Sequence, residues 1–138
     1  MTSETFVDAG AWIALNDRGD QYHPAAVSYY QRLLRDRRPL VTTNLVIAEA
    51  YISIRRAGGY QPAMRFLNSV RQSSRLTKAY SDAALEAEAE ALLQRYADQD
   101  FSLTDAVSFV VMQQRGIREA FAFDSHFATA GFAVVPAA

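Results

Sequence analysis

Cysteine is absent from this 138-residue chain, and only one of its fourteen basic residues is a lysine, Lys78. The absence of cysteine excludes disulfide bonds, thiolate metal sites and cysteine nucleophiles. The chain also lacks any apolar run near the roughly 18 residues of a membrane span, and no basic segment precedes its first apolar residues. We therefore expect a cytoplasmic protein without a membrane span or a signal peptide.

A net charge of −1 gives the chain no overall attraction for nucleic acid, so any phosphate-binding surface has to be local. Two groups of arginines could form such a surface, "RLLRDRRP" at 32–39 and the pair Arg55–Arg56. They could contact an RNA backbone or an acidic partner, or they could form ordinary solvated helix faces. Half of the residues are hydrophobic, which predicts a single domain over residues 1–138.

Short apolar segments alternate with longer segments of helical periodicity along the chain. The expected strands are residues 5–8, 39–43, 75–80, 119–123 and 132–136, and the expected helices are residues 23–36, 44–59, 62–72, 81–97 and 103–116, with a short helical turn at 125–131. This alternation predicts an α/β fold, in which right-handed crossovers build a parallel sheet covered by helices on both faces.

Two aspartates stand where apolar strand segments end. Asp8 closes "TFVD", and Asp124 follows "EAFAF". In open parallel sheets, ligand sites lie beyond the carboxyl ends of the strands, at the point where the strand order reverses. If the two strands are neighbours, both carboxylates face one crevice. Each aspartate taken alone could instead cap a following helical turn.

Two further acids lie in apolar helical segments. Glu49 lies within "NLVIAEAYISI", where a buried carboxylate would need a partner, and Arg32 or Arg115 could supply one. Asp105 opens the apolar segment "LTDAVSFVVM", which predicts a helix start that points into the core. The pattern Ser102-x-x-Asp105 is also that of a helix capping box.

One cation site would account for all four acids together, whereas caps and ion pairs explain them only one by one. Clustered carboxylate oxygens suit hard cations such as Mg²⁺ or Mn²⁺. A cluster of this kind can activate water and hold a phosphodiester for in-line displacement. The pattern therefore favours a metal-dependent phosphodiesterase.

The segments "FVDAGAW", "TTNLVIAEA", "DFSLTDAVSFVVM" and "AFAFDSHFATAGFAVVP" together resemble those of PIN domains, in particular the small single-domain ribonucleases that include VapC-type toxins. The resemblance covers nearly the whole chain, in order. It implies a three-layer α/β/α fold with a central, mainly parallel sheet of four to five strands. It also implies a metal-dependent endoribonuclease that uses Mg²⁺ or Mn²⁺ and leaves a 5′-phosphate.

The resemblance assigns roles to individual residues of this chain. The implied catalytic metal ligands are Asp8, Glu49, Asp105 and Asp124, of which the last stands at the most variable position of the family. Asp100 matches a position where many members carry a further acid, and it could act through a bridging water. Asn44 could contact a ligand or the substrate. The implied partners are an RNA substrate and a small VapB-like antitoxin, and surplus apolar helix faces allow a homodimer.

Three alternatives remain at the level of sequence. The chain could be a non-catalytic PIN-fold module for RNA binding or assembly. It could be a structure-selective DNA nuclease, although 138 residues leave little room for the extra elements of such enzymes. His23, His126 and Lys78 could support metal-free RNA cleavage, but structural roles are favoured for both histidines. Six aromatic residues could stack bases or pack in the core: Trp12, Tyr22, Tyr29, Tyr30, Tyr51 and Tyr60.

Overall fold

A computed structural model describes residues 3–137 of the chain. The strands are β1 (Thr5–Val7), β2 (Leu40–Thr43), β3 (Leu76–Ala79), β4 (Glu119–Phe121) and β5 (Ala133–Val135). The helices are α1 (Ala9–Asn16), α2 (His23–Arg35), α3 (Asn44–Gly58), α4 (Tyr60–Gln72), α5 (Ala83–Arg95), α6 (Leu103–Arg115) and α7 (His126–Thr129). Strands and helices alternate as the sequence predicts.

The five strands form one sheet in the order β3-β2-β1-β4-β5, and every neighbouring pair is parallel. Right-handed crossovers then place α1 to α4 on one face of the sheet and α5 to α7 on the other, because the direction of strand addition reverses after β3. The three-layer α/β/α architecture expected from the sequence is confirmed. Within residues 3–137, no helix is long and apolar enough to cross a membrane.

The strand order reverses between β1 and β4, which lie side by side at the centre of the sheet. Val7 pairs with Phe121, and the backbone N–H of Asp8 donates to the carbonyl of Phe121 over 3.0 Å. The two strands therefore end at the same level. Open parallel sheets bind ligands at such a reversal, beyond the carboxyl ends of the strands.

Helix α6 is the most deeply buried helix of the fold. Eight consecutive residues from Asp105 to Met112 are buried, as expected for a helix that is apolar on nearly all sides. Gly116 ends the helix in a left-handed conformation, with φ of 67°, that suits a residue without Cβ. The first turn of α6 lies beside the carboxyl edge of the sheet, and it therefore places Asp105 at that edge.

The structure differs from the sequence expectations in three local features. Helix α1 was not predicted, because its residues Ala9–Asn16 are apolar on several sides and show no amphipathic period. Helix α4 begins at Tyr60, two residues before Pro62. Strand β4 ends at Phe121, two residues earlier than expected, so Asp124 lies in the turn beyond the strand and not directly after it.

Candidate active site at the carboxyl edge of the sheet

Asp8 is a buried acid between β1 and α1, with only 4% of its surface exposed. Its backbone carbonyl accepts hydrogen bonds from Ala11 and Trp12 in the first turn of α1, but its side chain forms no capping bond. Burial raises the pKa of Asp8 to about 7, and the charges of the neighbouring acids add to this effect. A carboxylate in this environment favours a bound proton or a bound cation at neutral pH.

Asp105 is the second buried acid, in the first turn of α6. It forms the capping box predicted from the sequence: the N–H of Asp105 donates to Ser102 Oγ, and the N–H of Ser102 donates to Asp105 Oδ2, both over 3.0 Å. The cap therefore exists, and it orients the carboxylate without excluding a second role. The same Oδ2 atom lies 2.7 Å from His126 Nδ1.

Asp124 is exposed and lies in the turn between β4 and α7. Its Oδ1 accepts a hydrogen bond from the backbone N–H of His126 over 2.9 Å. Asp124 thus bonds the backbone of the following helical turn, as the capping alternative allowed, although Ser125 occupies the formal capping position. One histidine therefore contacts both Asp124 and Asp105, through its backbone and its ring respectively.

Glu49 lies on the exposed side of α3, which corrects the expectation that it would be enclosed by apolar neighbours. The helix buries Val46, Ile47, Ala50 and Ile54 along one side and leaves the position of Glu49 outside this stripe. Partial burial of the side chain raises the pKa of Glu49, and the charges of Asp105 and Asp124 raise it further. Its carboxylate therefore shares the electrostatic environment of the other acids.

The two proposed arginine partners of Glu49 do not pair with it. Arg115 forms two hydrogen bonds with Glu4 instead, over 2.7 and 3.1 Å. No ion pair within residues 3–137 includes Glu49. The carboxylate is therefore available to a cation or a ligand from solvent.

The four acids interact electrostatically, but only Asp105 and Asp124 among them belong to the group of side chains within residues 3–137 that lies close enough to hold one ion. Asp8 feels the negative charges of Asp124, Asp105 and Glu49, each of which raises its pKa. One ligand atom from each of Asp105, Asp124 and His126 can be chosen so that all three atoms lie within 4.8 Å of one another. Mutually repelling carboxylates that share a small space fit a hard divalent cation, because its charge would relieve their repulsion.

His126 is the site residue that sequence reasoning did not select. Burial lowers its pKa, but the hydrogen bond and charge of Asp105, together with the charge of Asp124, outweigh burial and raise the pKa. The ring also packs edge-on against Phe101, with centroids 5.5 Å apart. The position two residues after Asp124 was the only sequence signal for this role, since Asp105 is 21 residues away in the chain.

The other polar residues chosen from the sequence lie in different settings. The side-chain carbonyl of Asn44 accepts a hydrogen bond from the N–H of Ser81 over 2.9 Å, which joins the start of α3 to the loop after β3. Asp100 is exposed before α6, and its charge contributes to the raised pKa of His126. His23 Nδ1 lies 2.7 Å from the carbonyl of Ala14 and links α2 to α1.

The predicted arginine groups do not lie at the acidic crevice. Arg38 precedes β2 at the amino edge of the sheet, where it pairs with Glu119 over 3.0 Å and bonds Thr5 Oγ1. Arg55 lies near the end of α3, where it donates to the hydroxyl of Tyr51 and contacts the ring of Tyr60. Lys78 lies on the edge strand β3 and contacts the ring of Tyr80.

Comparisons with known proteins agree with this architecture. The family described as PIN domain matches residues 5–133. The 23S rRNA-specific endonuclease VapC20 of Mycobacterium tuberculosis is 36% identical over 131 residues, which cover 94% of this chain and 96% of that protein.

Two solved structures are also similar. The crystal structure of VapC20 of Mycobacterium tuberculosis, described as a Sarcin-Ricin loop cleaving toxin, superposes with a TM-score of 0.82 at 34% identity and covers 93% of this chain and 95% of that one. A protein of Pyrobaculum aerophilum shares the fold, with a TM-score of 0.65 at 22% identity over 98% of this chain and 91% of that one.

Proposed function

This chain belongs to the PIN domain family, and from that premise we propose that it is a metal-dependent endoribonuclease, the toxin of a VapBC-type toxin–antitoxin pair. The main supporting observation is that acids from four parts of the chain interact electrostatically near the point where the strand order reverses, and that Asp8 among them is almost fully buried. Burying carboxylates close to one another is unfavourable unless a cation or a proton compensates their charge, and this supports a cation site.

The proposed metal ligands are Asp8, Glu49, Asp105 and Asp124, and the proposed cation is Mg²⁺ or Mn²⁺. A bound cation would supply Lewis acidity and a water of lowered pKa. The chain itself contributes orientation. Ser102 and His126 both contact Asp105 Oδ2, and the backbone of His126 holds Asp124. These contacts limit the rotation of two carboxylates before substrate arrives.

Two polar residues have proposed secondary roles. The exposed position of Asp100, on the loop that leads into α6, supports contact with the site through bridging water. The carbonyl of Asn44 is engaged by Ser81, so its amide nitrogen is the group proposed to contact substrate. We treat residues 1–138 as one functional unit, since strands from both ends of the chain contribute to one sheet.

The proposed substrate is structured RNA. The similarity to a 23S rRNA-specific endonuclease makes 23S rRNA the first substrate to test. A shorter substrate is an RNA of the Sarcin-Ricin loop, which the description of the similar crystal structure names. The proposed partners are a small antitoxin, which would insert into the acidic crevice, and a second copy of the chain. The proposed location is the cytoplasm.

The experiment that tests this function compares purified protein on three substrates: 23S rRNA, an unrelated structured RNA and single-stranded DNA. Cleavage of RNA in Mg²⁺ or Mn²⁺, loss of cleavage with EDTA and a 5′-phosphate on the product are the expected results. Full RNA cleavage after metal removal would overturn the proposal in favour of a metal-free route. RNA binding without cleavage in any metal would indicate a non-catalytic module.

A further inference from the structure

Two aromatic rings are stacked at a position that directly precedes one of the four acids in the chain. The rings of Tyr22 and Phe123 have centroids 4.5 Å apart and planes that differ by 7°. Phe123 is the residue directly before Asp124, so their Cα atoms are about 3.8 Å apart. Tyr22 lies directly before α2, where its N–H donates to Asp20 Oδ1 over 2.8 Å. The pair is therefore joined through the backbone of Phe123 to one of the acids of the proposed catalytic site.

Tyr22 is 40% exposed although one face of its ring is stacked on Phe123. Part of the surface of Tyr22 therefore remains accessible to a ligand. The ring of Phe123 is itself held in place, because it packs edge-on against the ring of Phe121 with centroids 6.0 Å apart. An exposed tyrosine whose ring rotates freely loses conformational freedom when it binds a ligand. The ring of Tyr22 is already oriented by its stacking on Phe123, so it would lose less.

An open apolar groove of about 400 Å³ adjoins the stacked pair. Its volume is within the range of small-ligand sites. The groove is lined by Tyr22, Ala25, Ala122, Phe123, Val134, Pro136 and Ala137, none of which is charged. A phosphate would have no counter-charge in this groove, so its composition favours a flat, uncharged group.

We propose that Tyr22 and Phe123 form a nucleobase-stacking subsite for the nucleotide next to the scissile phosphate. This inference rests on the proposed function, since a cation held by the acids would bind the phosphate, and the base of the neighbouring nucleotide would then reach the groove. A nucleobase is the occupant that the surroundings favour: it is flat, it is uncharged, and the nucleic-acid backbone ties it to a phosphate. Stacking of this kind tolerates any base, because every base has a π face.

The test measures binding of a fluorescent RNA hairpin that the wild type cleaves at one site in Mg²⁺, so that the register of the bound RNA is fixed, with Ca²⁺ in place of Mg²⁺ and with intact RNA confirmed on a gel. Tyr22→Leu removes the ring, Tyr22→Phe keeps it, and Tyr60→Leu is the matched control. Tyr60 is also an exposed tyrosine, at 55%, but it follows α3. The 15 residues of α3 place it about 20 Å along the helix from the carboxyl edge.

We expect Tyr22→Leu to weaken binding by at least about fivefold, and Tyr22→Phe and Tyr60→Leu to change it by less than about twofold. A second measurement uses RNAs with one abasic site at successive positions. In the wild type one position should lower affinity, and in Tyr22→Leu the same position should have no effect. This coupling is not expected if Tyr22 only stabilises the fold, and the abasic series on the wild type remains informative if Tyr22→Leu does not fold.

Equal affinities of Tyr22→Leu and Tyr60→Leu, or equal effects of every abasic position, would overturn the stacking subsite and leave the ribonuclease proposal intact. Absence of RNA binding by the wild type would contradict both. Strong dependence on the ring without position dependence would indicate that the groove accepts another occupant, such as an apolar side chain of a protein partner, and would also overturn the subsite.

Discussion

His126 Nδ1 lies 2.7 Å from Asp105 Oδ2, while the backbone N–H of the same histidine donates to Asp124 Oδ1 over 2.9 Å. The histidine thereby joins an acid in the first turn of α6 to an acid in the turn after β4. Both contacts are made directly between protein atoms. The two acids are therefore held close together before a cation or a substrate binds.

This relationship predicts that His126→Ala lowers the affinity for Mn²⁺ by about 10- to 100-fold, the usual effect of removing a group that orients metal ligands. Isothermal titration calorimetry measures this affinity directly and does not depend on RNA cleavage. His126→Gln, which keeps a polar side chain, should lose less of the affinity for Mn²⁺. His23→Ala is the matched control, since the ring of His23 lies 2.7 Å from the carbonyl of Ala14 in α1 and not at the acids. Unchanged or tighter Mn²⁺ binding by His126→Ala would refute the orienting role.

The buried carboxyl group of Asp8 predicts a specific pH dependence of folding stability without metal. Its pKa of about 7 in the folded protein lies above the ordinary value of 3.8, so the folded state holds the proton more tightly than the unfolded state. The resulting contribution to the free energy of unfolding is fully present below pH 3.8 and is lost as the pH rises to 7. Stability should therefore fall over this range.

Urea denaturation of metal-free protein measures the effect of Asp8. Relative to Asp8→Asn, the wild type should lose about 2–3 kcal/mol of unfolding free energy between pH 5 and pH 8. The Asn variant should be the more stable protein at pH 8. Parallel pH profiles for the two proteins would show that Asp8 is not buried as described.

A divalent cation should reverse this destabilisation, because it competes with the proton for the same carboxylates. Addition of Mn²⁺ should raise the Tm of the wild type more at pH 8 than at pH 6, as scanning fluorimetry would show. The shift should be much smaller in Asp8→Asn at both pH values. Equal shifts at pH 6 and pH 8 would mean that the cation binds elsewhere.

The positions of Asp8 and Asp124 predict a rank order of activity losses. Asp8 is buried beside β1, whereas Asp124 is exposed in a turn and its place could be taken in part by water. Single-turnover cleavage rates should therefore fall less for Asp124→Asn than for Asp8→Asn or Asp105→Asn, in which the replaced acid is buried. A larger loss in Asp124→Asn than in Asp8→Asn would show that this order is wrong.

The fold was largely predictable because its signals are local. Short apolar segments at β1 and β4 and the long apolar run of α6 each indicate their own structure. The short helix Ala9–Asn16 was missed because burial on several sides removes the periodicity that identifies surface helices. Tertiary packing stabilises this helix, and the local sequence pattern gives no information about tertiary packing.

The site was predictable only in part. The positions of Asp8 and Asp124 after strand segments indicated one sheet edge, and the capping box at Asp105 could be read directly from its spacing. The exposure of Glu49 could not be predicted, because the sequence of a single helix does not reveal which of its sides faces the core. The ring contact of His126 joins residues far apart in sequence, so only the fold brings it into view.

The most direct test of the central claim compares RNA cleavage by the wild type, Asp8→Asn and Asp36→Asn under single-turnover conditions in Mn²⁺. Asp36 follows α2 on the approach to β2, at the edge of the sheet opposite the four acids, and it serves as the matched control. We predict that Asp8→Asn loses cleavage by at least about 100-fold, and that Asp36→Asn retains the wild-type rate. Wild-type cleavage by a folded Asp8→Asn protein would contradict the proposal that the acidic cluster is the catalytic site.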